Sequence, residues 1–446
     1  MARAACDGAD RENTVRAWAN FAAIFGGSHL PGARTAMAMA LALRAGAALA
    51  PAVKGAPAAS AGAFFLPREL AAIPHTVGAA TVERPDIGSV LPLKRIGGIP
   101  YVSLTDVARR LRLTVELVPG KPLVLLKDGP RPVVRLASGS REINCEGLRI
   151  FFGDPVVIHG GLYQVSEIDY ERCLMPLLRP TLLPAPGPRP RLIALDAGHG
   201  GKDLGNVNAR LNLNEKTFTL DTVRRLEKLL EERGFRVMLT RKDDRFIDVD
   251  ERPMIAQKAG AELFISVHFN AVPGQQDRVA GAEVFRFTPQ YQPPIMYPKP
   301  KDGSPHPGNR YDIWNAILGA DIFRTVLRAT GEQDRGLKHE NLGVLRLAQC
   351  PAVLVEGGFL SNDTEARRIA TPQFRQQLAV GIADGISAYV AETDSLRPAA
   401  GAPSGQAAQA GPRPPGAAPQ QAAPPPSATP APPARAVPSR PGAAST

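Results

Sequence analysis

Residues 192–201 read Leu-Ile-Ala-Leu-Asp-Ala-Gly-His-Gly-Gly, an apolar run that ends in an aspartate and breaks into a glycine-rich turn carrying His199. A short apolar run bounded by glycine reads as a buried strand feeding a turn. Two other runs share this form. Leu-Phe-Ile-Ser-Val-His (263–268) ends on His268, and Ala-Val-Leu-Val-Glu (352–356) ends on Glu356 with Gly357 and Gly358 directly behind it. Glu215 opens a long amphipathic stretch. Sites in open α/β sheets form just beyond the carboxyl ends of strands. Three strand ends and one helix start would therefore bring His199, Glu215, His268 and Glu356 together.

Working outward, strand and helix signals alternate over 191–392. The strand at 191–196 leads to a helix over 215–233, with Gly234 placed as a C-cap glycine. The strand at 235–240 leads to a helix over 248–259, where Asp248 and Glu251 have capping-box spacing. Strands at 263–268 and 282–287, a helix over 312–329 and the strand at 352–356 follow. The last helix opens with Thr371-Pro372, a cap residue followed by proline at the first helical position. Such alternation predicts an α/β fold, a mostly parallel twisted sheet with helices on both faces.

The flanks differ in character. Residues 87–178 carry short β-rich runs separated by Pro-Gly and Asp-Gly turns. They also carry one helix whose apolar stripe includes Val107, Ala108 and Leu111, capped by Ser103 or Thr105. This predicts a small α+β domain, with His159 in a turn and not a ligand. A proline-rich linker spans 179–190. Residues 1–86 form a leader whose segment 31–50 has an arginine, a short apolar core and small residues, the outline of an export signal. Arg44 interrupts that core, and an Ala-rich leader or a later translation start is the competing reading. Residues 393–446 are Pro/Ala-rich without apolar periodicity, which predicts a disordered tail.

The chain has 446 residues and a formal net charge of +11. Its basic residues are dispersed, with no clustered basic and aromatic surface, so nucleic acid is not an expected partner; an anionic polymer such as a cell wall suits the sign as well. No stretch is long and apolar enough for an integral membrane segment. The four cysteines have neither zinc-ribbon nor redox spacing. Cys145 and Cys173 could pair after export, or stay as buried thiols.

Two histidines and two glutamates at strand ends suit Zn2+ chemistry. A catalytic zinc takes three protein ligands and keeps a position for water. His199, Glu215 and His268 would supply two neutral nitrogens and one carboxylate, leaving Glu356 to accept the water proton and deliver it to a leaving nitrogen. The pattern predicts a zinc hydrolase. The spacing differs from the His-Glu-x-x-His helix of common metalloproteases.

Several strings then carry a resemblance. They are Asp196-Ala-Gly-His-Gly-Gly-Lys-Asp203-Leu-Gly205, Glu215-Lys216, Thr240-Arg241 with Asp244 and Arg252, Ser266-Val-His-Phe-Asn270-Ala, and Val353-Leu-Val-Glu-Gly-Gly-Phe-Leu-Ser-Asn362 with Glu365. In this order they resemble the zinc-dependent N-acetylmuramoyl-L-alanine amidases of bacterial cell walls, the amidase_3 type. The resemblance implies a peptidoglycan hydrolase that cleaves the amide between N-acetylmuramic acid and L-alanine, in cell-wall remodelling or daughter-cell separation. It implies His199, Glu215 and His268 as zinc ligands and Glu356 as the catalytic carboxylate, with Asn270 and Arg252 behind the ligands or beside the substrate. It also implies peptidoglycan as partner and a periplasmic or envelope location. Residues 87–178, through strings such as Tyr-Val-Ser-Leu-Thr-Asp-Val-Ala (101–108), resemble the domain named after the N-terminal domain of copper amine oxidases.

Two departures from the family pattern stand out. Phe269 replaces a small residue and is expected at the site rim. Residues 288–311 hold many prolines where some relatives carry a helix that covers the zinc until an activator protein withdraws it. Prolines at this density exclude a continuous helix, so the segment is expected as an extended loop over or beside the cleft, offering its tyrosines and Trp314 to glycan. The competing functions are another zinc hydrolase of wall peptides or sugars, and a non-catalytic peptidoglycan-binding or activator protein.

Overall fold

The computed structural model describes residues 91–187, 189–273, 278–296 and 303–397. The leader, its candidate signal segment and the tail beyond residue 397 lie outside these. Chain contacts divide the molecule at Pro398, and every described residue falls in the unit that ends there. The strands are β1 (Leu93–Ile96), β2 (Ile99–Ser103), β3 (Thr114–Leu117), β4 (Leu123–Asp128), β5 (Arg131–Ala137), β6 (Glu142–Cys145), β7 (Leu148–Phe151), β8 (Val157–His159) and β9 (Leu162–Ser166). They continue with β10 (Leu192–Ala197), β11 (Val207–Asn208), β12 (Leu213–Asn214), β13 (Arg236–Leu239), β14 (Leu263–Asn270), β15 (Ala282–Phe287), β16 (Asp334–Glu340) and β17 (Ala352–Phe359). The main helices are α1 (Leu104–Arg110), α2 (Glu215–Glu232), α3 (Glu251–Ala259), α4 (Asp312–Thr330), α5 (Asp363–Ile369) and α6 (Pro372–Ser395).

Every residue of β10, β14 and β17 is buried, as expected for strands covered on both faces. Strand alternation divides their side chains between two apolar clusters. Ile193, Leu195, Ile265, Val267, Val353 and Val355 join one face with Val223 and Leu226 of α2, Phe323 of α4 and Ile382 of α6. Ala194, Phe264 and Leu354 join the other with Ala256 of α3. This is why the sequence shows continuous apolar runs there and no alternation.

Strands β13, β10, β14 and β17 are parallel in that order. The expected mostly parallel sheet is reversed beyond them: β15 pairs antiparallel with β17, and β16 runs parallel to β15. Strand β16, Asp-Arg-Gly-Leu-Lys-His-Glu, is too polar to read as a buried strand, yet five of its seven residues are buried. The sheet also continues past the boundary expected at the proline-rich linker. Ile150 of β7 pairs with Leu337 of β16, and β6, β5, β4 and β3 follow antiparallel, giving eleven strands. A separate sheet of four strands, β1-β2-β9-β8, stands beside it.

Local corrections have local causes. Ser103 caps α1 by accepting from the Asp106 amide. The capping box expected at Asp248 does not form, because its carboxylate takes the Asp250 amide and the helix starts at Glu251. His159 closes β8, one residue before the turn expected to hold it. Helix α6 runs into the segment expected as tail, where Thr393 is buried and its hydroxyl bonds back to Tyr389 O at 2.9 Å. Cys145 and Cys173 are buried free thiols.

The loop expected over the cleft lies elsewhere. Because β15 is antiparallel to β17, with Glu283 opposite Glu356 and Phe285 opposite Leu354, the chain leaves Phe287 at the end of the sheet where β17 begins. The described parts of 288–311 stay at that end. Asn309 Nδ2 donates to Thr288 O at 3.0 Å, and the Tyr311 hydroxyl donates to Gln349 O at 2.5 Å. Gln292 Nε2 donates to Asp169 Oδ1 at 2.7 Å and Arg141 Nη2 donates to Pro293 O at 3.2 Å, tying the segment to the N-terminal strands. Trp314 packs partly buried against the core.

Candidate metal centre

The turn after β10 places His199 in the left-handed region, at φ 63°, a conformation unfavourable for a residue with a side chain. Two buried arginines hold it from beneath. Arg241 donates to Ala197 O at 2.8 Å and Gly198 O at 2.9 Å. Arg252 donates to Ala197 O at 2.8 Å, His199 O at 2.9 Å, Ile247 O at 2.9 Å and Asp196 Oδ1 at 2.9 Å. Asp196 also accepts from Thr240 Oγ1 at 2.6 Å and Ser266 Oγ at 2.7 Å. Burial alone would raise its carboxyl, but Arg252 and the two hydroxyls hold it below its ordinary range.

Glu215, the first residue of α2, is fully buried. Its Oε1 accepts from the Phe269 amide at 3.0 Å and meets His268 Nδ1 at 2.9 Å, while Oε2 accepts from the Asn206 amide at 2.7 Å. His199 turns Nδ1 to Asp203 Oδ2 at 2.8 Å. Donor atoms of His199, Glu215 and His268 all lie within 4.8 Å of one another, and all three residues are buried. The surrounding loops have no spare room: a Cβ on Gly198 would come within 2.2 Å of the His268 ring, and one on Gly205 within 2.6 Å of the His199 ring.

The donor set fits a metal ion. His199 Nε2 stands 3.1 Å from Glu215 Oε2 but is buried without a hydrogen bond, an unpartnered nitrogen facing a carboxylate. Two imidazoles and one carboxylate match a zinc site with an open position, and Asp203 supplies the outer partner that orients a ligating histidine. Electrostatics agree. Burial opposes charge on His199, yet Glu215 and Asp203 push it up to about 10. Burial likewise opposes charge on Glu215, and the histidines hold its carboxyl far below the usual range. His268 is lowered, burial being the main cause. Glu215 and Asp203 thus favour positive charge at His199, where a cation would sit.

Glu356 lies beside this cluster, paired in register with His268 on one side and Glu283 on the other. Its Oε2 is buried without a partner. Burial, then Glu215 and Glu283, raise its carboxyl well above the ordinary value, against His199 and Lys338. Glu283 is itself held by Arg335 and Lys338, each at 2.8 Å.

The structure thus gathers all four residues that the strand ends singled out. Arg252 and Asn270 are buried and face inward: Arg252 carries the His199 turn, and Asn270 Nδ2 donates to Glu283 Oε2 at 3.3 Å. Phe269, expected at the rim, is fully buried and packs edge-on against Phe218, since it alternates with His268 along β14. Sequence reading gave no role to Asp203, Arg241, Glu283 or Lys338. The place of Asp203 four residues after His199, across a glycine turn, was a usable signal; the pairing of Glu283 with Glu356 has none, because it depends on the reversal of β15.

Comparison with known proteins bears on the same segment. Residues 193–388 match the family model Amidase_3, N-acetylmuramoyl-L-alanine amidase. The chain is 32% identical over 231 residues to N-acetylmuramoyl-L-alanine amidase AmiC of Escherichia coli O6:H1, covering 47% of this chain and 55% of that protein. It is 34% identical over 198 residues to an endolysin of Bacillus phage SPP1, covering 44% of this chain and 65% of that protein. The chain therefore spans between half and two thirds of the length of these curated relatives. Among solved structures, the catalytic domain of CwlV, an N-acetylmuramoyl-L-alanine amidase from Bacillus (Paenibacillus) polymyxa var. colistinus, is 30% identical. The match covers 45% of this chain and 98% of that one, with a TM-score of 0.38. Over residues 193–388 this chain belongs to the Amidase_3 family of N-acetylmuramoyl-L-alanine amidases.

Proposed function

We propose that the protein is a zinc-dependent peptidoglycan hydrolase that cleaves the amide between N-acetylmuramic acid and L-alanine. The observation that carries this reading is the convergence of His199, Glu215 and His268 within 4.8 Å, with unpartnered Glu356 in register beside His268. The match of residues 193–388 to the amidase family supports the choice of substrate. In this reading residues 191–392 are the catalytic domain and 87–178 a small domain like that of copper amine oxidases. The protein is exported to the periplasm or envelope, acts in wall remodelling or cell separation, and can answer to an activator protein.

His199, Glu215 and His268 would hold the ion. A bound zinc acidifies water and polarises the scissile carbonyl. Glu356 takes the proton of the attacking water on Oε2 and returns it to the departing nitrogen of L-alanine as the C–N bond breaks. The products are the lactyl carboxylate and a free amine. Asp203 fixes the His199 tautomer, and the Arg241–Arg252 pair keeps the His199 turn in place.

Mass spectrometry of digested sacculi tests this. Peptide-free glycan and peptides with L-alanine at the amino terminus are expected, with release abolished by a chelator and restored by zinc. Cleavage inside the stem peptide, or release of acetate from sugars, would overturn the assignment.

A further inference from the structure

The rim of the His199 turn carries an aromatic ring and a cation that the hydrolytic machinery does not use. Phe246 is 41% exposed, and the Lys202 ammonium lies 4.5 Å from its ring centroid. Lys202 is exposed and makes no hydrogen bond or ion pair among the described residues. Two acids on the same rim are taken up by other cations, Asp243 by Arg245 at 2.5 Å and Asp244 by Lys216 at 2.6 Å.

This ledge is fixed relative to the candidate ligand. Asp244 Oδ1 accepts from the Gly201 amide at 2.8 Å, and Lys216 Nζ donates to Gly201 O at 2.8 Å. A Cβ on Gly200 would meet Arg245 O at 2.1 Å and one on Gly201 would meet the Phe246 amide at 2.7 Å, so the two loops lie in direct contact. One nitrogen of Arg252, Nη2, donates to both His199 O and Ile247 O, at 2.9 Å each. The backbone of the ligand and that of the residue after Phe246 therefore share a single donor. Lys202 itself is three residues from His199.

We propose that Lys202, seated on Phe246, recognises a carboxylate of the stem peptide next to the scissile amide. The proposal rests on the amidase reading. A lysine held over an aromatic face loses less freedom on binding than one in open solvent, and the ring supports it without neutralising it. Stem peptides carry a carboxylate, or its carboxamide, one residue beyond L-alanine. Lys202 would therefore discriminate the free acid from the amide.

Two N-acetylmuramoyl dipeptides that differ only in carboxylate or carboxamide at the second residue test this. Their binding to the zinc-loaded Glu356→Gln protein is measured by calorimetry, and their hydrolysis by wild type is followed separately. The acid should bind about fivefold tighter than the amide at moderate salt. Lys202→Met should bring that ratio near one, Lys202→Arg should keep it, and the remote control Lys258→Met should not change it. A ratio near one in the parent, a ratio that survives Lys202→Met, or binding of neither ligand would overturn the proposal. Absence of hydrolysis by wild type would overturn the amidase reading, and the binding ratio would still decide the role of Lys202.

Discussion

His268 and Glu356 occupy the same register position on the neighbouring parallel strands β14 and β17. One residue belongs to the cluster that can hold a metal, and the other ends in an oxygen with no partner. On the far side of Glu356, Glu283 occupies the matching position of antiparallel β15, with its charge taken up by Arg335 and Lys338. The carboxylate assigned to proton transfer is therefore held between a candidate ligand and a neutralised acid, in a place where burial strengthens its hold on a proton it has accepted.

Glu356→Gln should keep metal and fold while losing turnover by roughly a thousandfold, the usual scale of a general acid/base. Muropeptide release measured together with metal content checks this. Turnover near wild type would remove Glu356 from the mechanism.

Asp203→Asn should weaken metal binding by roughly 10- to 100-fold, because the Asp203 contact to His199 Nδ1 at 2.8 Å fixes the ring and raises its basicity. Competition with a chromophoric chelator reads the affinity directly. Metal affinity equal to wild type would show that the turn alone orients His199.

Gln292→Ala should lower stability by about 1–2 kcal/mol and leave hydrolysis of sacculi unchanged. Its amide donates to buried Asp169 at 2.7 Å, at the end of the sheet away from Glu356. A urea unfolding curve and an activity assay on the same preparation separate the two effects, and a selective loss of activity would contradict this placement.

Asp321 on α4 is largely buried, one of its oxygens lacks a partner, and burial followed by Glu392 of α6 pushes it up to about 7. Between its ordinary value of 3.8 and about 7 the folded chain keeps a proton that the unfolded chain has lost. Stability from this group is thus full below the unfolded value and falls as pH rises through that window. Asp321→Asn should flatten the decline, by about 1–2 kcal/mol between pH 5 and pH 8. Urea midpoints at the two pH values would check it; an unchanged slope would mean another group is responsible.

The legible part of the fold was the part buried on both faces. Strands β10, β14 and β17 appear as continuous apolar runs because alternate residues enter two different clusters. Strand β16 is not legible because it buries Lys338 and Glu340, and the partner of Lys338, Glu283, lies far away in the chain where no local pattern reveals it. The described residues of 288–311 hold only one short helical turn, Pro307–Tyr311, as their prolines require, but proline content says nothing about which end of a sheet a loop occupies.

The sequence by itself determined the apolar runs of β10, β14 and β17, the start of α2 and hence the four residues that meet at the site, because periodicity and glycine turns are local properties. Only the tertiary structure decided that β15 reverses, that Glu283 flanks Glu356, that 288–311 leaves from the far end, and that the N-terminal strands extend the same sheet. Strand direction and register are set by contacts between segments distant in the chain. A residue's neighbours in the sequence carry no record of them.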